Sequence, residues 1–294
     1  VPYSYALYDK SGMLLGASVA SDGQWRFSPG EVPDKFAQAV IVFEDKRFYY
    51  HLGVDPIAIV RAAVSNIRAG RIVSGASTLT MQTMRLLAGN KPRTFGQKCR
   101  ESFLAVMAEI RLGKAKILSL YAAHAPFGGN VIGIEAASWR YFNRSPASLT
   151  WAEAATLAVL PNQPSLVHPG ANRAVLLKKR NTLLQELYAR GRIDAQTLEL
   201  SLAEPLPEKP YPLPSGAPHY LELLKKQYPH TARFYTDLDS GLQKNLYRIL
   251  ERHSRELSRK GIDNAAALII ETATGKVLAY CGNTGLDGRN GTTS

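Results

Sequence analysis

The 294-residue chain is 45% hydrophobic and 20% charged, too apolar for a disordered chain and sufficient to bury a substantial core. Its 36 Lys and Arg against 24 Asp and Glu leave a net charge of +12, which favours an anionic partner: a phosphorylated substrate, an anionic membrane surface or nucleic acid. Cys99 and Cys281 form no C-x-x-C pair, so a disulfide framework and a zinc ribbon are both excluded, and no apolar run of about 18 residues is present to span a membrane.

Residues 5–9 and 13–19 flank Lys10-Ser11-Gly12 and predict a β-hairpin, with Gln24-Trp25-Arg26-Phe27 as a further strand. From Asp34 the pattern turns helical, and Phe36, Val40, Ile41 and Phe43 predict one buried face. That helix ends in Glu44-Asp45-Lys46-Arg47-Phe48-Tyr49-Tyr50-His51-Leu52-Gly53-Val54, a run crowded with paired carboxylates, paired cations, aromatics and an imidazole. A helix end is a rigid mount for an acid or base, although the run alone fits an ordinary solvated C-terminus equally well.

Pro56 starts the next helix and Gly70 stops it, with Ile57, Val60, Val64 and Ile67 sharing a face. Ser77 and Thr78 can cap a helix running to about Leu87. In Gly75-Ala76-Ser77-Thr78-Leu79-Thr80-Met81-Gln82-Thr83-Met84-Arg85, small residues and hydroxyls surround a helix start whose N–H groups can bind an anion; the plain alternative is a well-capped structural helix. Thr94 caps a longer helix on which Phe103, Leu104, Met107 and Ile110 predict the core stripe, while Lys98, Glu101 and Ala105 share a different face. Between Arg85 and Lys116 stand eight Lys or Arg and two acids, Glu101 and Glu109, so Glu101 is a lone carboxylate in positive surroundings that favour its ionised form. Such a group can hold a divalent metal or orient a phosphate-bearing substrate, or simply make an intrahelical ion pair.

Further helices are expected from Lys114, over 134–142, behind the capping box Thr150-Trp151-Ala152-Glu153 as far as Pro161, and over 173–190. Pro205, Pro207, Pro210, Pro212, Pro214 and Pro218 predict an extended semi-rigid linker. A helix near 219–227, a long basic helix over about 240–260 and a second hairpin, 265–271 with 276–281, follow. The expected division is an N-terminal hairpin region 1–33, a mainly α domain 34–203, a Pro-rich linker 204–234 and a small α+β fragment 235–294. The start at Val1 and the turn-like Asp287-Gly288-Arg289-Asn290-Gly291 near the end read as cuts in a longer protein, so a native N-terminal anchor is expected outside the chain.

The order of Glu44 to His51, then Gly75 to Arg85, then Lys98 with Glu101, resembles the successive motifs of the family 51 peptidoglycan glycosyltransferases, the lysozyme-like domains of class A penicillin-binding proteins. Glu101 follows Glu44 by 57 positions, as that pattern requires. Lys116-Ile117-Leu118 with Tyr121, Ala136-Ala137-Ser138-Trp139-Arg140-Tyr141-Phe142 and Leu157-Ala158-Val159-Leu160-Pro161-Asn162-Gln163-Pro164 agree with it too. The resemblance covers about 5–190 as glycosyltransferase and, more weakly, 235–282 as the opening of a truncated transpeptidase domain.

The resemblance implies polymerisation of lipid II, the lipid-linked disaccharide-peptide, into β-1,4 glycan strands by inverting displacement of undecaprenyl pyrophosphate. By position, Glu44 would be the general base, with Asp45 and His51 as its supports and Phe48 packing the cleft wall. Glu101 would help to hold the pyrophosphate, directly or through a divalent cation such as magnesium or manganese, and Lys98, Arg85, Ser77, Thr78 and Gln82 would line that site. No organic cofactor is implied. The implied partners are lipid II, the growing glycan strand and an anionic membrane surface, not nucleic acid, and the implied place is the outer face of the bacterial cytoplasmic membrane. Ile57, Ile59, Val60, Ile72, Val73, Leu79, Met81, Met84 and Leu86, interspersed with Arg61, Arg68, Arg71 and Arg85, suit a membrane interface, with burial in the core as the bland alternative.

Gln97, Ala76, Met81 and Ala122-Ala123 depart from the family pattern, and the missing Arg at 97 removes one pyrophosphate contact. No Ser-x-x-Lys occurs, so the acyl-transfer motif of a transpeptidase is absent from this chain. A lysozyme-like hydrolase would use similar carboxylates but needs fewer cations beside the second one. A degenerate lipid II or peptidoglycan-binding module and a basic nucleic-acid binder complete the alternatives; the last has no motif to support it.

Overall fold

The computed structural model describes residues 1–71, 73, 75–89, 94–162 and 172–283. Ile72, Gln163, Pro164 and the turn at 287–291, singled out above, lie outside the described residues. Three strands come first, β1 (Tyr5–Tyr8), β2 (Leu14–Ser18) and β3 (Trp25–Arg26). Helices α1 (Asp34–Glu44), α2 (Pro56–Ala69), α3 (Leu79–Leu87) and α4 (Phe95–His124) follow. After the short β4 (Val131–Ile132) come α5 (Ile134–Phe142), α6 (Trp151–Val159), α7 (Arg173–Ala189) and α8 (Ala195–Ala203). The rest comprises α9 (Pro218–Gln227), β5 (Arg233–Tyr235), α10 (Ser240–Ser258), β6 (Ala267–Ile270) and β7 (Val277–Cys281).

The mainly α class holds, but the chain is partitioned differently from the linear division expected. It forms two compact units, one of Pro29–Tyr211 and one joining Val1–Ser28 to Pro212–Ser294. The reason is a non-local pairing: β1 lies between β2, antiparallel to it, and β5, parallel to it, with Leu7 opposite Gly16 on one side and Phe234 on the other. The Pro-rich stretch from Pro212 onward takes part in the same unit, since Pro214 O accepts from Ala17 N (3.1 Å) and Gly216 N donates to Leu15 O (2.7 Å). Prolines suit such an edge because they have no N–H to leave unpaired. Leu7, Leu15, Ala217, Leu221, Phe234 and Leu238 form the core of this unit, and the β6–β7 hairpin packs on α10 through Leu246, Ala279 and Cys281.

In the helical unit α6 is buried from Ala152 to Val159, as a helix apolar on all sides must be, and it packs against α1 and α7. Its capping box is complete: Glu153 N donates to Thr150 Oγ1 (3.1 Å) and Thr150 N to Glu153 Oε2 (2.8 Å). Helix α8, absent from the expected elements, is held at its C-terminal end by the buried Arg180, which donates to Glu204 O (2.6 Å) and Leu202 O (3.3 Å). Helix α4 breaks at Gly113 (φ 71°), so its two halves run in different directions.

The apolar rows of two helices lie opposite to expectation. Helix α2 buries only Ala58 and Ala62, while Ile57, Val60, Val64 and Ile67 are exposed. On the first half of α4, Phe103 and Ile110 are exposed, and the inward row is Glu101, Ala105, Ala108 and Glu109. Small side chains there let α3 and the 52–54 loop approach closely; a Cβ on Gly53 would lie 2.5 Å from the Ala105 carbonyl carbon.

Candidate active site

Glu44 is the last residue of α1 and continues the row of Phe36 and Val40, both 0% exposed, at four-residue spacing. Its Oε2 accepts a hydrogen bond from Gln82 Nε2 of α3 at 2.7 Å. Gln82, expected at the leaving-group site, is therefore bonded to Glu44.

Asp45 turns elsewhere. Its carboxylate accepts from His51 Nε2 at 3.0 and 3.1 Å and from Leu79 N at 2.9 Å, and both Asp45 and His51 are buried. Thr78 accepts from Met81 N (3.2 Å) and donates to Gly53 O (2.6 Å). The start of α3 was expected to offer its free N–H groups to an incoming anion. Instead the Leu79 and Met81 donors are already satisfied, and the anion at that end of the helix dipole is Asp45.

The other residues of the 44–54 run also brace the loop. Lys46 pairs with Glu186 of α7, and Arg47 with Asp55 (3.3 Å), whose carboxylate caps α2 by accepting from Ile57 N (3.0 Å). Phe48 is 0% exposed, with its ring edge-on to Tyr49 and His51 and the Lys114 ammonium 4.4 Å from its centre. Asp45, Phe48, His51 and Thr78 are thus buried and held by protein groups.

Sequence reasoning missed the ion pair beneath them. Lys114 Nζ lies 2.7 Å from Glu109 Oε1 and donates to His51 O at 2.7 Å, while Thr80 Oγ1 donates to the same Glu109 oxygen at 2.6 Å. The available signal was the pair of opposite charges five positions apart across Gly113, which re-aims the chain between them.

Glu101 is buried on the α4 row that faces α3, and next to it Ser102 Oγ lies 3.9 Å from Met81 Sδ. Arg85 is half-buried, whereas Ser77 and Lys98 are exposed. The structure thus brings Glu44 and Gln82 together, sets the Glu101 row against α3, and leaves Ser77 and Lys98 facing solvent. Among the described residues no cluster of three His, Cys, Asp or Glu could hold a metal ion.

Residues 16–188 match the family model described as transglycosylase. The chain is 35% identical over 280 residues to penicillin-binding protein 1C of Escherichia coli (strain K12), covering 95% of this chain and 36% of that protein. It is 32% identical over 267 residues to penicillin-binding protein 1A of Aquifex aeolicus (strain VF5), covering 88% of this chain and 37% of that one. A crystal structure of penicillin-binding protein 1A from Haemophilus influenzae aligns with 84% of this chain and 29% of its own, at 17% identity and a TM-score of 0.40, too low to carry weight. The chain spans little more than a third of the length of the curated relatives it matches.

Proposed function

The chain belongs to the transglycosylase family, and on that premise we propose that it polymerises lipid II into β-1,4 glycan strands, with Glu44 as the general base. The observation that supports this most is the sorting of two consecutive carboxylates: Asp45 is spent on His51 and Leu79 N, while Glu44 is directed by the amide of Gln82 on another helix. A base needs such a fixed direction.

In this reading Glu44 takes the proton of the acceptor sugar's 4-hydroxyl as that oxygen attacks the anomeric carbon of the growing chain. The bond to undecaprenyl pyrophosphate breaks on the opposite face, with inversion. Charge developing on the pyrophosphate is stabilised by Arg85 and Lys98, with Ser77 as a hydroxyl donor. Glu101 orients those groups; no step is assigned to a divalent cation.

The membrane reading draws on the exposed apolar side chains of α2, where Ile57 is 56%, Val60 64% and Ile67 80% exposed beside exposed Arg61, Arg68 and Arg71. Such a face fits the interface of an anionic bilayer. Contact through this face, on the outer leaflet of the cytoplasmic membrane, is the proposed mode; among the described residues no helix is long and apolar enough to cross a membrane. Residues 235–282 are read as the opening of a transpeptidase domain.

Labelled lipid II tests the chemistry. Glu44→Gln should abolish polymer formation while the far-ultraviolet circular dichroism stays unchanged, and substantial residual turnover would remove Glu44 from the role. Glu101→Gln should slow turnover by at least roughly a hundredfold; an unaltered rate would make it a structural helix residue.

A further inference from the structure

Tyr121 is 1% exposed, and its hydroxyl is sealed from solvent with no hydrogen-bond partner among the described residues. A buried hydroxyl left in that state is destabilising, and phenylalanine would fill the same space at no such cost. Packing alone therefore does not account for the oxygen.

Its position suggests what does. Ile117 and Tyr121 form a buried four-residue step on the second half of α4, and Phe127, just beyond that helix, meets Phe36 of α1 with ring centres 6.2 Å apart. Phe36 heads the row that ends in Glu44. Burial pushes the Tyr121 phenol well above its ordinary value and the neighbouring Glu44 charge adds to the shift, so the phenol stays protonated and keeps its O–H as a donor at neutral pH. Gln82 already holds one oxygen of Glu44.

We propose that Tyr121 is a positioning residue for the base: its buried hydroxyl donates to the Glu44 carboxylate as the acceptor sugar binds, so that Tyr121 and Gln82 together fix the direction from which the proton is taken. The inference rests on Glu44 being the base. It adds no covalent step; the acceptor proton still moves to Glu44, and the phenol proton stays on Tyr121. A donor sealed in the core cannot reach the substrate, so its effect falls on turnover and not on substrate affinity.

The test is Tyr121→Phe in the whole chain, assayed with lipid II beside thermal unfolding. The expected result is a fall in kcat of roughly ten- to a hundredfold, matching the loss of one hydrogen bond to a charged group. KM should stay within about twofold, and Tm should be unchanged or higher. An unaltered kcat, or a fall in kcat accompanied by a lower Tm, would overturn the proposal. Glu44→Gln run in parallel separates the two ideas. Turnover surviving in that variant defeats the reading of Glu44 as base, whereas a dead Glu44→Gln beside a fully active Tyr121→Phe defeats only the role of Tyr121.

Discussion

Helices α1 and α2 are neighbours in the chain and both carry a clean apolar row, yet they use it in opposite ways. Helix α1 turns Phe36 and Val40 inward at 0% exposure, whereas α2 turns Ala58 and Ala62 inward and leaves Ile67 80% exposed. The first half of α4 repeats the α2 arrangement, with Ala105 inside and Phe103 67% exposed. Periodicity identifies the rows of a helix; it does not say which medium each row meets. Where small residues and a buried carboxylate make the seam, bulky side chains are left outside, the feature on which the proposed membrane contact rests.

That contrast can be broken or sharpened by substitution, and two inward changes should have the largest effects. Phe36→Ala should lower the unfolding free energy by about 3–5 kcal/mol in urea titrations, the cost of a large aromatic cavity. Lys114→Met leaves the Glu109 carboxylate buried without its cation and should cost a similar amount, roughly 3–5 kcal/mol by the same measurement. Gly53→Ala places a Cβ 2.5 Å from the Ala105 carbonyl carbon at a residue with φ 80°, so a loss of about 1–3 kcal/mol is expected, together with weaker amide protection in α3 by hydrogen exchange. The outward residues come last: Phe103→Ser and Ile67→Ser should change stability by no more than about 0.5 kcal/mol. Each should nevertheless weaken flotation with anionic liposomes. If Phe103→Ser unfolds the chain as Phe36→Ala does, the distinction between the two faces disappears.

The site was readable to the extent that it was local. Glu44 and Asp45 stand out as an adjacent pair, and Glu101 as an acid among cations, from residue types alone. The partners of each carboxylate could not be read, because Gln82 lies 38 positions from Glu44, and Leu79 34 positions from Asp45. Thr78 could be recognised as a cap but not as a donor to Gly53, and the anion-binding reading of α3 failed because a carboxylate from another segment already occupies that helix end. Tyr121 could be placed in a motif, yet a hydroxyl without a partner is visible only once the side chains around it are known.

By itself the sequence determined most of the helices, α8 excepted, and several of their ends, since Thr78, Thr94, Thr150 and the left-handed Gly70 act within a turn of their own positions. It also determined the family, through motifs whose order survives in one dimension. Only the tertiary structure decided that the first strand pairs with residues 233–235, that bulky faces of α2 and α4 point outward, and that two adjacent carboxylates serve different purposes. These depend on which distant groups come within hydrogen-bond or packing range, an energy that no local window contains.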